Sequence, residues 1–167
     1  MLEKLAKNCP NIKRDFAYFK QTYREFPEIG TQLARLYHEW AWGAGGSSFP
    51  PSLFGAEHNA DIYLKHTAAE MLRALVPNSI NEIKDKSHRH EIELIKDIRP
   101  HAVITSNYDT MLELIFPELT PVVGQNIIRG TNLSVGEIFK IHGCMTDPKS
   151  LVITKEDYNF FAKKKSI

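Results

Sequence analysis

A chain of 167 residues, 43% apolar and 25% charged, can bury a core of its own and has the make-up of an ordinary globular protein. A formal net charge of +1 provides no basic field for holding nucleic acid and no acidic tail, so direct nucleic-acid binding is not indicated. Two cysteines, Cys9 and Cys144, lie far apart without metal-ligand spacing. They exclude a disulfide framework and a four-cysteine zinc module, and no metal site is expected. No apolar stretch approaches the ~20 residues that span a bilayer, and the opening MLEKLAKNCPNIKRD carries no apolar signal core. No membrane association is expected, and the expected compartment is a reducing cytoplasm.

Residues 1–99 read as helical. Ile12, Phe16, Phe19, Tyr23 and Phe26 recur at spacings of four, three, four and three, which places them on one helix face that Pro27 ends or bends. Leu33, Leu36, Tyr37 and Trp40 make a second, shorter face. WGAGGSSFPPSLFG is a loop by its glycine, serine and proline content. A third stripe, Leu64, Ala68, Met71, Leu72, Leu75 and Val76, stops at Pro77-Asn78. A fourth helix, through Ile92, Ile95 and Ile98, stops before Pro100. His88-Arg89-His90 falls in its charged stretch and reads as solvent-exposed. Trp40 and Trp42 could be core or pocket rim.

After Pro100 the punctuation changes. HAVIT is a short strand-type run, followed by a helix through Phe116 that Pro117 halts. TPVV and EIFKI are further strands, and SLVIT is another candidate. Thr154 is placed to cap a last helix opening at Lys155-Glu156-Asp157. The run Lys163-Lys164-Lys165 reads as its solvated end. Strands alternating with helices predict an α/β fold with a parallel sheet. Residues 1–99 then form a mostly helical part and residues 100–167 a strand/helix part of the same domain.

In open α/β sheets ligands sit beyond the carboxyl ends of the strands. The strand at 102–105 ends in Ser106, Asn107 and Asp109, and EIFKI ends in His142-Gly143. Two strands thus deliver an amide, a carboxylate and an imidazole to one sheet edge. Gly143 lets the backbone turn sharply or a ligand come close. Asn and Asp are also common turn and cap residues after a strand, so the joint arrangement carries the site, not either residue alone. Cys144 follows directly, and its expected role is packing.

The segments ITSNYDTMLE, KIHG and DPKSLVITKEDYNFF resemble, in order and separation, the motifs of sirtuin-like domains found in bacterial anti-phage defence proteins. The resemblance covers residues 98–161; the first hundred residues are similar only loosely to the variable helical insertion of such domains. It implies a Rossmann-like parallel sheet with a helical insertion. It also implies that NAD is the substrate and that NAD is hydrolysed to nicotinamide and ADP-ribose, which depletes NAD on infection. Under the resemblance Asn107 contacts the nicotinamide ribose and positions the attacking group. Asp109 holds the nicotinamide side of the pocket, and His142 works on the ribose hydroxyls as general base. Ser106 and Gly143 complete the expected NAD-binding set. The partners it implies are a companion defence subunit or further copies of the chain.

The chain departs from the family pattern at both flanks. Gly43-Ala44-Gly45-Gly46-Ser47 looks like the family's pyrophosphate loop but follows the helical ARLYHEWAW, not a strand. Its expected role is a flexible connection near the pocket mouth. The expected sheet lacks the family's first and last strands, which predicts an unpaired edge and leaves open a piece of a longer protein or completion by another chain. Two other functions fit the same motifs. One is an NAD-dependent protein-lysine deacylase, although the zinc cysteines that frame an acyl-peptide groove are missing. The other is a non-catalytic NAD or ADP-ribose sensor.

Overall fold

A computed structural model describes residues 1–124 and 136–163, the last three of these by backbone alone. The Lys163-Lys164-Lys165 run lies outside the described side chains. The chain divides into two compact units, one from Met1–Ala68 together with the segment from Val152 on, the other Ala69–Leu151.

The first unit is helical. It holds α1 (Leu2–Asn8), α2 (Phe16–Thr22), α3 (Phe26–Trp42), the start of α4 (Ile62–Arg73) and α7 (Lys155–Lys163). The single helix expected from Ile12 to Phe26 is two: the chain leaves helical geometry at Tyr23, and Phe26 opens the next helix with 63% of its surface exposed. Pro27 starts α3 and does not end a helix. Its fixed φ suits the first turn, and the N–H it lacks would be unsatisfied there anyway. The face of α3 that carries Ile29, Leu33, Tyr37 and Ala41 is buried with Leu5, Phe19 and Leu64. The Tyr37 hydroxyl donates to the Leu5 carbonyl at 2.8 Å, and burial pushes its phenol well above the ordinary tyrosine range.

SLVIT is not a strand. Residues 151–153 join no described ladder, and Ile153 is 4% exposed because it packs on α3 instead. The approach is close enough that a Cβ on Gly30 would lie 2.3 Å from the Ile153 carbonyl oxygen. What holds this strap is Asp157. Its Oδ2 accepts from the backbone N–H of Ile153 (3.0 Å) and Thr154 (2.9 Å), while Thr154 Oγ1 accepts from the Asp157 N–H at 3.3 Å. This is a reciprocal capping box, and Thr154 opens α7 as its sequence predicts. The other carboxylate oxygen of Asp157 binds Lys65 Nζ at 2.6 Å, and Asp61 binds the same ammonium at 2.7 Å. Lys65 is 3% exposed, so the pair is a buried one.

The second unit holds α5 (Lys86–Asp97), β1 (Ala102–Thr105), α6 (Met111–Ile115), β2 (Thr120–Val123) and β3 (Glu137–Lys140). The pairings between the three described strands are parallel, in the order β1-β3-β2, with Thr105 and Val123 both opposite Lys140. The three strands expected after Pro100 are therefore present, in a mixed α/β architecture of Rossmann-like type. Asp85 caps α5 by accepting from the N–H of Ser87 and His88. Of the expected α5 stripe only Ile92 is buried; Ile95 and Ile98 are 39% and 71% exposed. Ile92 joins Ile115, Phe116, Leu119 and Ile138 in the core on one face of the sheet, with Val103 against it. Among the described strands β1 lies at an edge, and its Ile104 is 71% exposed.

Candidate functional site

Parallel pairing of β1 with β3 puts both carboxyl ends on the same edge of the sheet. Thr105 and Lys140 are opposite partners, so Asn107 and His142 each stand two residues beyond a matched pair. Ile141 N–H donates to the Thr105 carbonyl at 3.0 Å, continuing the ladder past the strands. One step further, Met145 N–H donates to the Tyr108 carbonyl at 2.8 Å. The loops carrying the amide and the imidazole are thus stitched to each other by their backbones. Ser106 and Asn107 are exposed, while Asp109 and His142 are half-buried.

Local bonds shape the first loop. Asn107 N–H donates to Thr105 Oγ1 at 3.0 Å, and Asp109 Oδ1 accepts from the Met111 N–H at 3.0 Å. One oxygen of Asp109 is therefore engaged at the start of α6, the turn role that an aspartate after a strand commonly takes. Its second oxygen is the one a ligand could meet.

The second loop depends on its glycine. Gly143 has φ +96°, a conformation unfavourable to a side chain, and a Cβ there would sit 2.2 Å from the Ser150 carbonyl oxygen. Gly143 N–H closes the turn onto the Lys140 carbonyl at 3.2 Å. Ser150 Oγ accepts from Cys144 N–H at 3.0 Å and donates to the Asp147 carbonyl at 2.6 Å, which fixes the chain just after the imidazole. Cys144 itself is 1% exposed, in the packing role expected of it. Partial burial lowers the His142 pKa below the ordinary histidine value, so the neutral imidazole dominates at neutral pH.

A residue that sequence reasoning passed over joins the two loops. Lys140, the last residue of β3, is fully buried, and its ammonium donates to the Asp109 carbonyl and pairs with Glu113 at 3.0 Å. A lysine at the end of a short strand that also opens on a charge, Glu137, reads in sequence as a surface end. Its burial follows from the strand's place between β1 and β2, where a side chain on either face is covered. Arg73 adds a further tie, donating to the Met145 carbonyl at 3.0 Å.

The glycine segment 43–47 belongs to the other unit and ends a helix. Gly45 N–H donates to the Trp40 carbonyl at 2.8 Å, and a Cβ on Gly45 would lie 2.4 Å from the Trp40 indole. Its glycine is explained by contact with that ring. Among the described residues no group of three or more His, Cys, Asp or Glu could hold a metal ion, and no described helix is long and apolar enough to cross a membrane.

Residues 101–167 match the family model described as a SIR2-like domain. The match supports a sirtuin-like domain. It takes in the last 67 of the 167 residues, including both loops of the site, and it links that segment to NAD-related chemistry, since SIR2-like family members are NAD-dependent enzymes. No curated protein and no solved structure matches the chain.

Proposed function

We propose that the protein hydrolyses NAD to nicotinamide and ADP-ribose, as the effector of an anti-phage defence system in which infection triggers NAD depletion. The observation that carries the reading is the pairing of β1 with β3, which sets Asn107 and His142 at adjacent strand tips within the segment similar to SIR2-like domains.

The chemistry asks for what these residues offer. The bond between the ribose C1′ and the pyridinium nitrogen breaks, its electron pair returns to the nitrogen, and nicotinamide leaves neutral. No strong general acid is required. Positive charge builds on the sugar ring as in other glycoside cleavages. Asn107 orients the incoming water against C1′. His142, held neutral by its partial burial, takes the proton the water loses as the C1′–O bond forms. The second oxygen of Asp109 favours the cationic sugar, and Ser106 supplies a polar contact to the ribose. The buried Lys140 acts behind these groups by fixing the loop that carries Asn107.

The test is to incubate the protein with NAD and quantify nicotinamide and ADP-ribose. Stoichiometric release without any acylated peptide supports the hydrolase. Release only with an acyl-lysine peptide would make it a deacylase. A second reading, binding of NAD or ADP-ribose without turnover, is favoured by one feature: the glycine segment that looks like a pyrophosphate loop follows α3 and packs on Trp40. Saturable NAD binding with no nicotinamide released would establish it.

A further inference from the structure

The first unit has a cavity of its own, about 410 Å³, enclosed by the turn between α1 and α2, by α2 and by one side of α3. That is the size of a small-molecule site. Gln32, Arg35, Leu36 and Glu39 follow one another at helical spacings of three, one and three, so α3 turns one stripe to the cavity beside the Ile29, Leu33 and Tyr37 stripe that it buries. The apolar lining comes from Phe19, 4% exposed, and from the half-buried Ile12 and Leu36. Tyr18 and Tyr23 add ring surface.

The charged lining has a sign. Lys13, Arg14 and Arg35 stand against one carboxylate, Glu39, an excess of two positive charges in a chain whose formal net charge is +1. Among the described residues none of these four side chains enters an ion pair or a hydrogen bond. Arg35 also borders a cavity lined by Asp61, Glu156 and Asp157, and it pairs with none of them. The Arg14 guanidinium lies over the Tyr18 ring, 4.3 Å from its centroid, which holds its plane and leaves its N–H groups uncommitted.

We propose that this cavity binds a small phosphate monoester carrying a flat apolar ring, an aryl phosphate by chemical class. Arg14 and Arg35 present planar donor forks that match a pair of phosphate oxygens, and Lys13 adds a compact charge. A phosphate monoester carries about two negative charges at neutral pH, which matches the excess in the lining where a carboxylate would leave half of it unmet. The ring packs against Phe19, Leu36 and the tyrosines. No residue of 105–109 or 142–143 takes part, so the assignment stands independently of NAD hydrolysis.

The test titrates the whole chain calorimetrically with phenyl phosphate, with inorganic phosphate, which lacks the ring, with phenol, which lacks the charge, and with benzoate, which has a single charge. Phenyl phosphate is expected to bind saturably, about tenfold or more tighter than inorganic phosphate or phenol and several-fold tighter than benzoate. Arg35→Gln should weaken it about tenfold and Lys13→Gln several-fold. Both side chains are exposed and unpaired, so the melting temperature should not change. Lys20→Gln, which removes an exposed cation of α2 outside the lining, should bind as the parent does. An absence of saturable phenyl phosphate binding, equal affinity for inorganic phosphate, unchanged binding by both Arg35→Gln and Lys13→Gln, or an equal loss in Lys20→Gln would overturn the proposal.

Discussion

Each unit of the molecule is organised around a buried lysine, and the two lysines do different work. In the first unit Lys65 joins Asp61, four residues before it, to Asp157, 92 residues after it, so the ion pair closes the unit. In the second, Lys140 reaches the Asp109 carbonyl and Glu113, groups in the loop and helix that follow β1. One lysine holds distant chain segments together; the other holds the site's loops in place. Buried ion pairs are weak net stabilisers but expensive to break halfway. Their value here lies in which backbone segments they fix, and substitution should separate the two roles.

The largest effects are expected at the strand tips. Asn107→Ala and His142→Ala should each lower nicotinamide release from NAD by about a hundredfold or more, with the thermal unfolding profile retained. Normal release by either variant would break the assignment of the site. Next comes Lys65→Met, which strands two half-buried carboxylates and should cost about 3–5 kcal/mol of stability in denaturant titration. Lys140→Met strands one carboxylate, Glu113, where Lys65→Met strands two of similar exposure. It should cost less stability than Lys65→Met while lowering nicotinamide release, and equal losses in both assays for both variants would erase the contrast between the lysines.

Gly143→Ala forces a side chain into positive φ and against the Ser150 carbonyl, an expected loss of about 1–3 kcal/mol readable as a lower melting temperature. The pH dependence is smaller. Burial depresses the His142 pKa in the fold, so on acidification the unfolded chain binds its proton first and the folded state loses stability as pH falls through the unfolded value. Nicotinamide release should decline on the acid side with an apparent pKa below that of free histidine, and a limb above that value would count against His142 as the base. Smallest of all is Lys155→Ala. Its 2.6 Å pair with Glu28 is exposed, and removing it should leave the melting temperature unchanged.

The sequence carried the elements whose signals are local. The strands at 102–105, 120–123 and 137–140, the stop before Pro100, and the Thr154-x-x-Asp157 cap could all be read from periodicity, breakers and capping chemistry. A strand tip rich in polar groups is likewise a local pattern, and the candidate site at 105–109 is proposed from it. Pro27 was misplaced for a local reason too: proline at the end of one helix and at the start of the next leaves the same mark in sequence.

Tertiary structure decided the rest. SLVIT has strand composition, yet its burial against α3 comes from the close approach at Gly30 and not from a ladder. Lys65 and Lys140 look like surface lysines until their partners, up to 92 residues away, are brought to them. The rings of His38, Trp42, Phe54 and Tyr63 meet from two helices and the segment between them, with no spacing that marks the cluster. Periodicity reports which way a side chain faces on its own element. Only the packing of elements against each other sets what that side chain meets.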